Sequence, residues 1–304
     1  MSLVFDWFAL RRIKYTLLLV CVLVTANTQA TPTMDVAPAA VASATPPSRV
    51  IALAPNLVEM IYALGADHLM VGAIEHSNYP SEAKQLPVIG NYAQLNIERI
   101  VALQPDLLIA WRGGSPPADV ERLQQLGLRV VWINIQTFND VADALTLLGE
   151  VLGHQRDAQP LVSRYLAQLD SIRRQYQHAA PITVFYELWP QPLTTVGLGS
   201  WPQQALALCG ADNPFAKAMG DYPQVSLEHV IATQPQVIIQ PLDSARGIAL
   251  TDWQRWPTVP AVSHQAIVTP DSDKLHRMTP RALDEAAKLC RQLDEYRKVY
   301  RTTD

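Results

Sequence analysis

Residues 96–110, NIERIVALQPDLLIA, are matched 130 positions later by residues 226–240, SLEHVIATQPQVIIQ. Five positions are identical (Glu, Ala, Gln, Pro and Ile), and five more exchange one branched aliphatic residue for another. Each copy reads as a short helix feeding a buried strand. Asn96 and Ser226 are good N-cap residues, which places Glu98 and Glu228 at the second helical position, where a negative charge suits the helix dipole. About two turns later Pro105 or Pro235 ends the helix, and DLLIA or QVIIQ follows as an aliphatic strand. In a single copy the helix dipole alone would account for the glutamate.

Outward from this unit, short aliphatic runs alternate with amphipathic helices. RVIALA (from residue 49) reads as a strand, and NLVEMIYALG as a helix with Leu57, Val58, Ile61 and Tyr62 on one face and Gly65 as its stop. LMVGA, the first repeat unit, RVVWI (129–133) and a helix over about 138–152 follow. Residues 160–178 hold no turn signal and place Leu161, Tyr165, Leu166, Leu169 and Ile172 on one stripe, the mark of a long helix. Alternation then resumes with ITVFYEL, WPQQALALCG, the second repeat unit, AIVTP and a final helix over about 280–298; Ser200 with Gln203 suggests a capping-box start to the helix that bears Cys209. The fold class expected is α/β: two Rossmann-like lobes with mainly parallel sheets, 49–155 and 180–304, joined by a single long helix over 156–179.

The N-terminus reads as an export signal over residues 1–30. Basic RRIK precedes the apolar stretch YTLLLVCVLVTA, and NTQA offers small residues for cleavage after Ala30. Twelve apolar residues are short for a bilayer span, although an uncleaved anchor is the competing reading. Cys21 lacks the preceding small residue of a lipid-modified site. Residues 31–48, rich in Pro, Ala, Ser and Thr, read as a flexible tether. The expected location is therefore the periplasm. Loss of the leader leaves two cysteines, Cys209 and Cys290, which are expected to pair in an oxidising compartment; the alternative is two separate buried thiols.

The chain of 304 residues has a formal charge of -4; the first thirty contribute +2 (Arg11, Arg12 and Lys14 against Asp6), so the remainder carries -6. That argues against nucleic acid as a partner. GxSxG, GxxxxGK[ST], HExxH and CxxC are all missing, GxGxxG follows no strand, and the seven histidines show no ligand spacing. Neither an enzyme nor a metal site is expected. Aromatic and polar residues instead gather at strand ends and loops, where open α/β sheets bind ligands. Trp111 ends a strand before RGG, a turn expected to expose it; Tyr92 and Tyr222 precede the two repeat units; Trp189 ends VFYELW; and His76 lies in IEHSNYP. Singly, each aromatic is as well explained as a cover for a loop. Together they outline an interlobe cleft suited to a large flat ligand held by ring stacking. In DSDKLHRMTPR, Asp273 and Arg277 are placed to hydrogen-bond amides or carboxylates on a ligand's rim, whereas Arg281 belongs to the following helix; a solvated charged loop is the alternative.

RVIALAPNLVEMIYALG, NIERIVALQPDLLIAWRGG, PQVSLEHVIATQPQVII and the cysteine segments ALCGADNPF and AAKLCRQL resemble the periplasmic vitamin B12 (cobalamin)-binding proteins of ATP-driven importers, a group of class III solute-binding proteins. The likeness runs from residue 49 to about 296. IAWRGG and the cysteines are its more specific parts, since the other motifs recur in siderophore- and haem-binding relatives. The resemblance implies a bilobal monomer with one rigid connecting helix, which carries cobalamin as cargo to an ABC importer and uses no cofactor of its own. It implies ligand contacts at Trp111, Tyr92, Tyr222, Asp273 and Arg277, and docking of Glu98 and Glu228 onto arginines of the two permease subunits. His76 departs from the pattern, which has a cleft tyrosine there; a direct bond from His76 to cobalt or iron is one consequence to weigh. Haem or a ferric siderophore is the alternative ligand within the class.

Overall fold

The computed structural model describes residues 46–242 and 250–303. The expected export signal and residues 31–45 of the expected tether lie outside the described residues. The tether expected to reach residue 48 is already anchored at its end. Pro47 is buried, and Ser48 donates from its backbone N and its Oγ to Asp106 Oδ2 at 2.7 and 2.9 Å.

The N-terminal lobe runs β1 (Val50–Ala52), α1 (Pro55–Ala63), β2 (Met70–Ala73), α2 (Ile97–Ala102), β3 (Leu107–Trp111), α3 (Pro117–Gln125), β4 (Val130–Ile133) and α4 (Phe138–Leu152). Its sheet is parallel throughout, in the order β2-β1-β3-β4. Because side chains alternate across a strand, Val50, Ala52, Leu107 and Ile109 face one core with α1 and α4, while Ile51, Leu53, Leu108 and Ala110 face another with Ile100, Val120 and Leu123 from α2 and α3. A strand buried on both faces has no polar alternation. That is why these strands read as unbroken aliphatic runs.

The long helix α5 (Gln155–Tyr176) spans 22 residues, about 33 Å at 1.5 Å per residue. It begins earlier than the expected stripe and carries Pro160 inside it. Tyr165, Leu169 and Ile172 are buried as expected, but Leu166 is 37% exposed; it follows Tyr165 by one residue, about 100° round the helix and off the buried stripe. The C-terminal lobe follows with β5 (Val184–Tyr186), β6 (Trp189–Pro190), β7 (Leu193–Thr194), α6 (Trp201–Leu208), α7 (Leu227–Ala232), β8 (Val237–Ile239), α8 (Pro260–Ser263), β9 (Ile267–Val268), α9 (Ser272–Leu275) and α10 (Pro280–Thr303). Here the parallel order is β5-β8-β9, with a parallel bridge between Thr183 and Asp212 on the outer side of β5, so the strand order of the first lobe recurs. The antiparallel β6–β7 hairpin is an addition to the parallel plan.

The repeated units fold alike. Asn96 Oδ1 accepts from Arg99 N at 2.9 Å and Ser226 Oγ from His229 N at 3.2 Å. Each helix ends at a glutamine of φ 48°, Gln104 or Gln234, because the next residue is proline and disfavours the right-handed helical conformation before it. The capping box expected at Ser200 does not form. Ser200 Oγ donates to Gly197 O at 2.8 Å, and Gln203 Oε1 accepts from Asn213 Nδ2 at 2.8 Å instead. Cys209, at the end of α6, is disulfide-bonded to Cys290 in α10.

One hydrophobic core runs through both lobes, from Val50 to Leu293, by way of α4 and α5. Phe138 at the start of α4 packs on Trp201 of α6 with ring centroids 4.6 Å apart. Among the described residues no helix is long and apolar enough to cross a membrane.

Candidate functional site

A cavity of about 320 Å³ opens between the lobes. His76 and Tyr92 line it from the N-terminal lobe, and Trp189, Asp273, His276 and Arg277 from the C-terminal lobe. Five residues singled out in the sequence thus meet at one place, although they come from segments up to 201 positions apart.

Local structure explains each position. Tyr92 sits at the tip of a turn in which Asn91 Oδ1 accepts from Ala93 N and Gln94 N at 3.0 and 3.1 Å. The turn leaves its ring 78% exposed, a free stacking surface. His76 has φ 65°, a left-handed conformation uncommon for a residue with a Cβ. Its carbonyl accepts from Asn78 N at 2.9 Å and from Arg277 Nη2 at 3.1 Å, so the opposite lobe helps to hold the bend. Trp189 is carried on the β6–β7 hairpin and is 42% exposed. Asp273 lies in α9, whose first turn is capped by Asp271 Oδ1 accepting from Lys274 N, and Arg277 leaves the end of that helix.

Tyr222 and Trp111 do not line the cavity. The loop bearing Tyr222 is pinned to the hairpin side of its lobe by Thr195 N donating to Pro223 O, Gly197 N to Asp221 O, and Val225 N to Leu193 O. The loop bearing Tyr92 is held instead to the end of β2, by Ile89 N donating to Ala73 O and Glu75 N to Gly90 O, so the two matched tyrosines part company. Burial, with Asp221 nearby, raises the Tyr222 phenol above its usual pKa. Burial, with a further contribution from Tyr222, pushes the fully buried Tyr186 phenol well up, and its oxygen lies 2.7 Å from His276 Nε2 on the cavity wall. Trp111 is partly buried: the RGG turn, expected to expose it, folds over the ring instead. A Cβ added at Gly113 or Gly114 would come within 2.5 or 2.6 Å of the indole, while Ser115 Oγ accepts from Trp111 N at 3.0 Å and donates to Leu53 O at 2.9 Å. Trp111 Nε1 is buried with no hydrogen-bond partner among the described residues.

Two carboxylates matter here that sequence reasoning passed over. Glu187, 1% exposed, accepts from Trp253 Nε1 at 2.7 Å, Gln240 Nε2 at 3.0 Å and Thr251 N at 3.0 Å, and so fixes the segment that presents Leu250 to the cavity. Glu59 of α1 accepts from Arg277 Nη1 at 2.8 Å and Arg281 Nε at 2.9 Å, both from the other lobe. Arg281 does belong to α10, but its side chain reaches back to the cleft floor. Neither glutamate announces itself in the sequence, because the signal is a partner far along the chain. The repeat glutamates, Glu98 and Glu228, lie away from the cavity and are exposed, one on each lobe.

Comparison with known proteins gives a consistent answer. Residues 50–272 match the family model described as periplasmic binding protein. The chain is 35% identical over 260 residues to the vitamin B12-binding protein of Vibrio cholerae, covering 85% of this chain and 93% of that one. It is also 35% identical over 256 residues to the vitamin B12-binding protein of Pectobacterium atrosepticum, covering 82% and 89%. Among solved structures, the periplasmic vitamin B12 binding protein BtuF of Vibrio cholerae superposes with a TM-score of 0.76 at 35% identity, over 83% of this chain and 99% of that one. The periplasmic haem-binding protein RhuT from Roseiflexus sp. RS-1 superposes with a TM-score of 0.72 at 23% identity, over 82% and 98%, a likeness of fold.

Proposed function

Because the chain belongs to the periplasmic binding protein family, and within it to the group of vitamin B12-binding proteins, we propose that it captures cobalamin in the interlobe cleft and delivers it to an ABC importer of the inner membrane. The observation that carries this reading is the alignment with vitamin B12-binding relatives over nearly their whole length, on a chain whose two lobes bring Tyr92 and Trp189 to one cavity. The protein acts in the periplasm, after removal of its leader near Ala30, as a monomer that binds without catalysis. Cobalamin is its cargo, and it needs no cofactor.

A corrinoid is a flat ring with an amide-bearing rim and is larger than a 320 Å³ cavity. It is therefore gripped at the open mouth, between the exposed rings of Tyr92 and Trp189, with part of its edge in solvent and the lobes slightly parted. Asp273 and Arg277 take rim amides, His76 faces the ring, and Trp111 and Tyr222 support the wall from behind. Glu98 and Glu228 dock onto the permease dimer: exposed, at equivalent places on two similar lobes, they suit a partner with twofold symmetry.

The test is direct. The exported protein is incubated with cyanocobalamin or with haemin, freed of excess ligand by gel filtration, and examined by absorbance. Co-elution with cyanocobalamin near one equivalent is expected. Retention of haemin alone would overturn the proposed cargo.

A further inference from the structure

Glu59 is 4% exposed on the first helix of the N-terminal lobe, and the partners of its carboxylate are two arginines of the C-terminal lobe. Arg277 donates to Oε1; Arg281 donates through Nε to Oε2 and through Nη2 to Oε1. Arg277 Nη2 also meets Asp273 Oδ1 at 2.5 Å, and Arg281 Nη2 lies 3.7 Å from Asp273 Oδ2. The Arg281 guanidinium is 3.6 Å from the ring centroid of Tyr79, which covers it from the N-terminal lobe. The four charged groups are formally neutral together. Glu75, which also lines the cavity, adds a third carboxylate beside these two guanidiniums.

Arg277 can therefore donate a hydrogen bond to a ligand without carrying surplus positive charge. An amide carbonyl needs only the donor. A carboxylate needs a counter-charge as well, and its desolvation in the cleft goes uncompensated without one. We propose that Glu59 is a selectivity-determining positioning residue: by binding Arg277 and Arg281 across the lobes it aims Arg277 into the cleft and cancels the arginines' charge, so that the site takes a neutral, amide-rimmed macrocycle and disfavours one rimmed with carboxylates. The proposal rests on the reading of cobalamin as cargo and adds the reason an anionic macrocycle is refused.

The experiment compares affinities for cyanocobalamin, neutral overall, and haemin, which bears two propionates, in four forms of the protein: wild type, Glu59→Gln, Asp273→Asn and Arg281→Gln. Glu59→Gln removes one negative charge beside the two arginines, so the haemin-to-cyanocobalamin affinity ratio rises by about tenfold, the order expected of one poorly screened unit of charge. Asp273→Asn, at a partly exposed position, moves the ratio the same way. Arg281→Gln, which removes a positive charge, moves it the opposite way. A purely structural role for the cluster would weaken both ligands in parallel in all three variants, and that result, or an unchanged ratio, overturns the proposal. Wild-type protein that binds cyanocobalamin keeps the cargo reading alive whatever the variants do; wild-type protein that binds haemin and not cyanocobalamin overturns both.

Discussion

Trp111 owes its position to the two glycines that follow it. A methyl group at residue 113 would sit 2.5 Å from the indole, with no room to give except by moving the ring. Gly113→Ala is expected to destabilise the protein by about 1–3 kcal/mol, the usual range for overpacking. A lowered thermal midpoint together with altered tryptophan fluorescence would report it. Asp106 offers a test in pH. Burial alone would raise its pKa, but Ser48 and Arg49 donate to the carboxylate and hold it below the usual value. A pKa lowered in the folded state contributes stability that is present above the unfolded value of about 3.9 and is lost as pH falls through the folded value. The difference in unfolding free energy between wild type and Asp106→Asn should accordingly stay constant above about pH 5 and shrink below about pH 4. A difference independent of pH would mean that the carboxylate charge contributes nothing to anchoring residues 48 and 49.

At the scale of elements, the docking proposed for Glu98 on α2 and Glu228 on α7 is open to a direct test. Glu98→Ala with Glu228→Ala is expected to abolish cobalamin uptake while leaving solution affinity nearly unchanged, with milder single variants, since exposed ion pairs are worth little alone. Equal loss of uptake and binding would place the glutamates in the fold or the cleft. The disulfide ties α6 to α10 across 81 residues, and the chain-entropy model gives it up to about 4 kcal/mol. Cys209→Ala with Cys290→Ala should lower the urea midpoint accordingly. These elements were legible in the sequence for local reasons: buried parallel strands are aliphatic runs, and the caps at Asn96 and Ser226 lie within three residues of the amides they bind. The failures were non-local. Ser200 and Gln203 have capping-box spacing, but Gly197 and Asn213 compete for their side chains. Tyr92 and Tyr222 have matching sequence contexts, yet the first loop bonds to Ala73 and Glu75 and the second to Leu193, Thr195 and Gly197.

For the whole molecule, the continuous core through α4 and α5 and the Glu59 cluster at the cleft floor tie the lobes on two levels. No pattern along the chain announces this arrangement, because Glu59 lies 218 residues from Arg277 and 222 from Arg281. The cleft's aromatic and polar lining was foreseeable from strand-end loops; its electrostatic balance required the packed lobes. Capture of cobalamin in the cleft is open to calorimetric titration of the exported protein with cyanocobalamin, beside Tyr92→Ala and Trp189→Ala. One ligand per wild-type chain is expected, with affinity reduced about tenfold or more in each variant, the order for loss of a stacked ring. Absence of binding to the wild type, or binding indifferent to both substitutions, would contradict it.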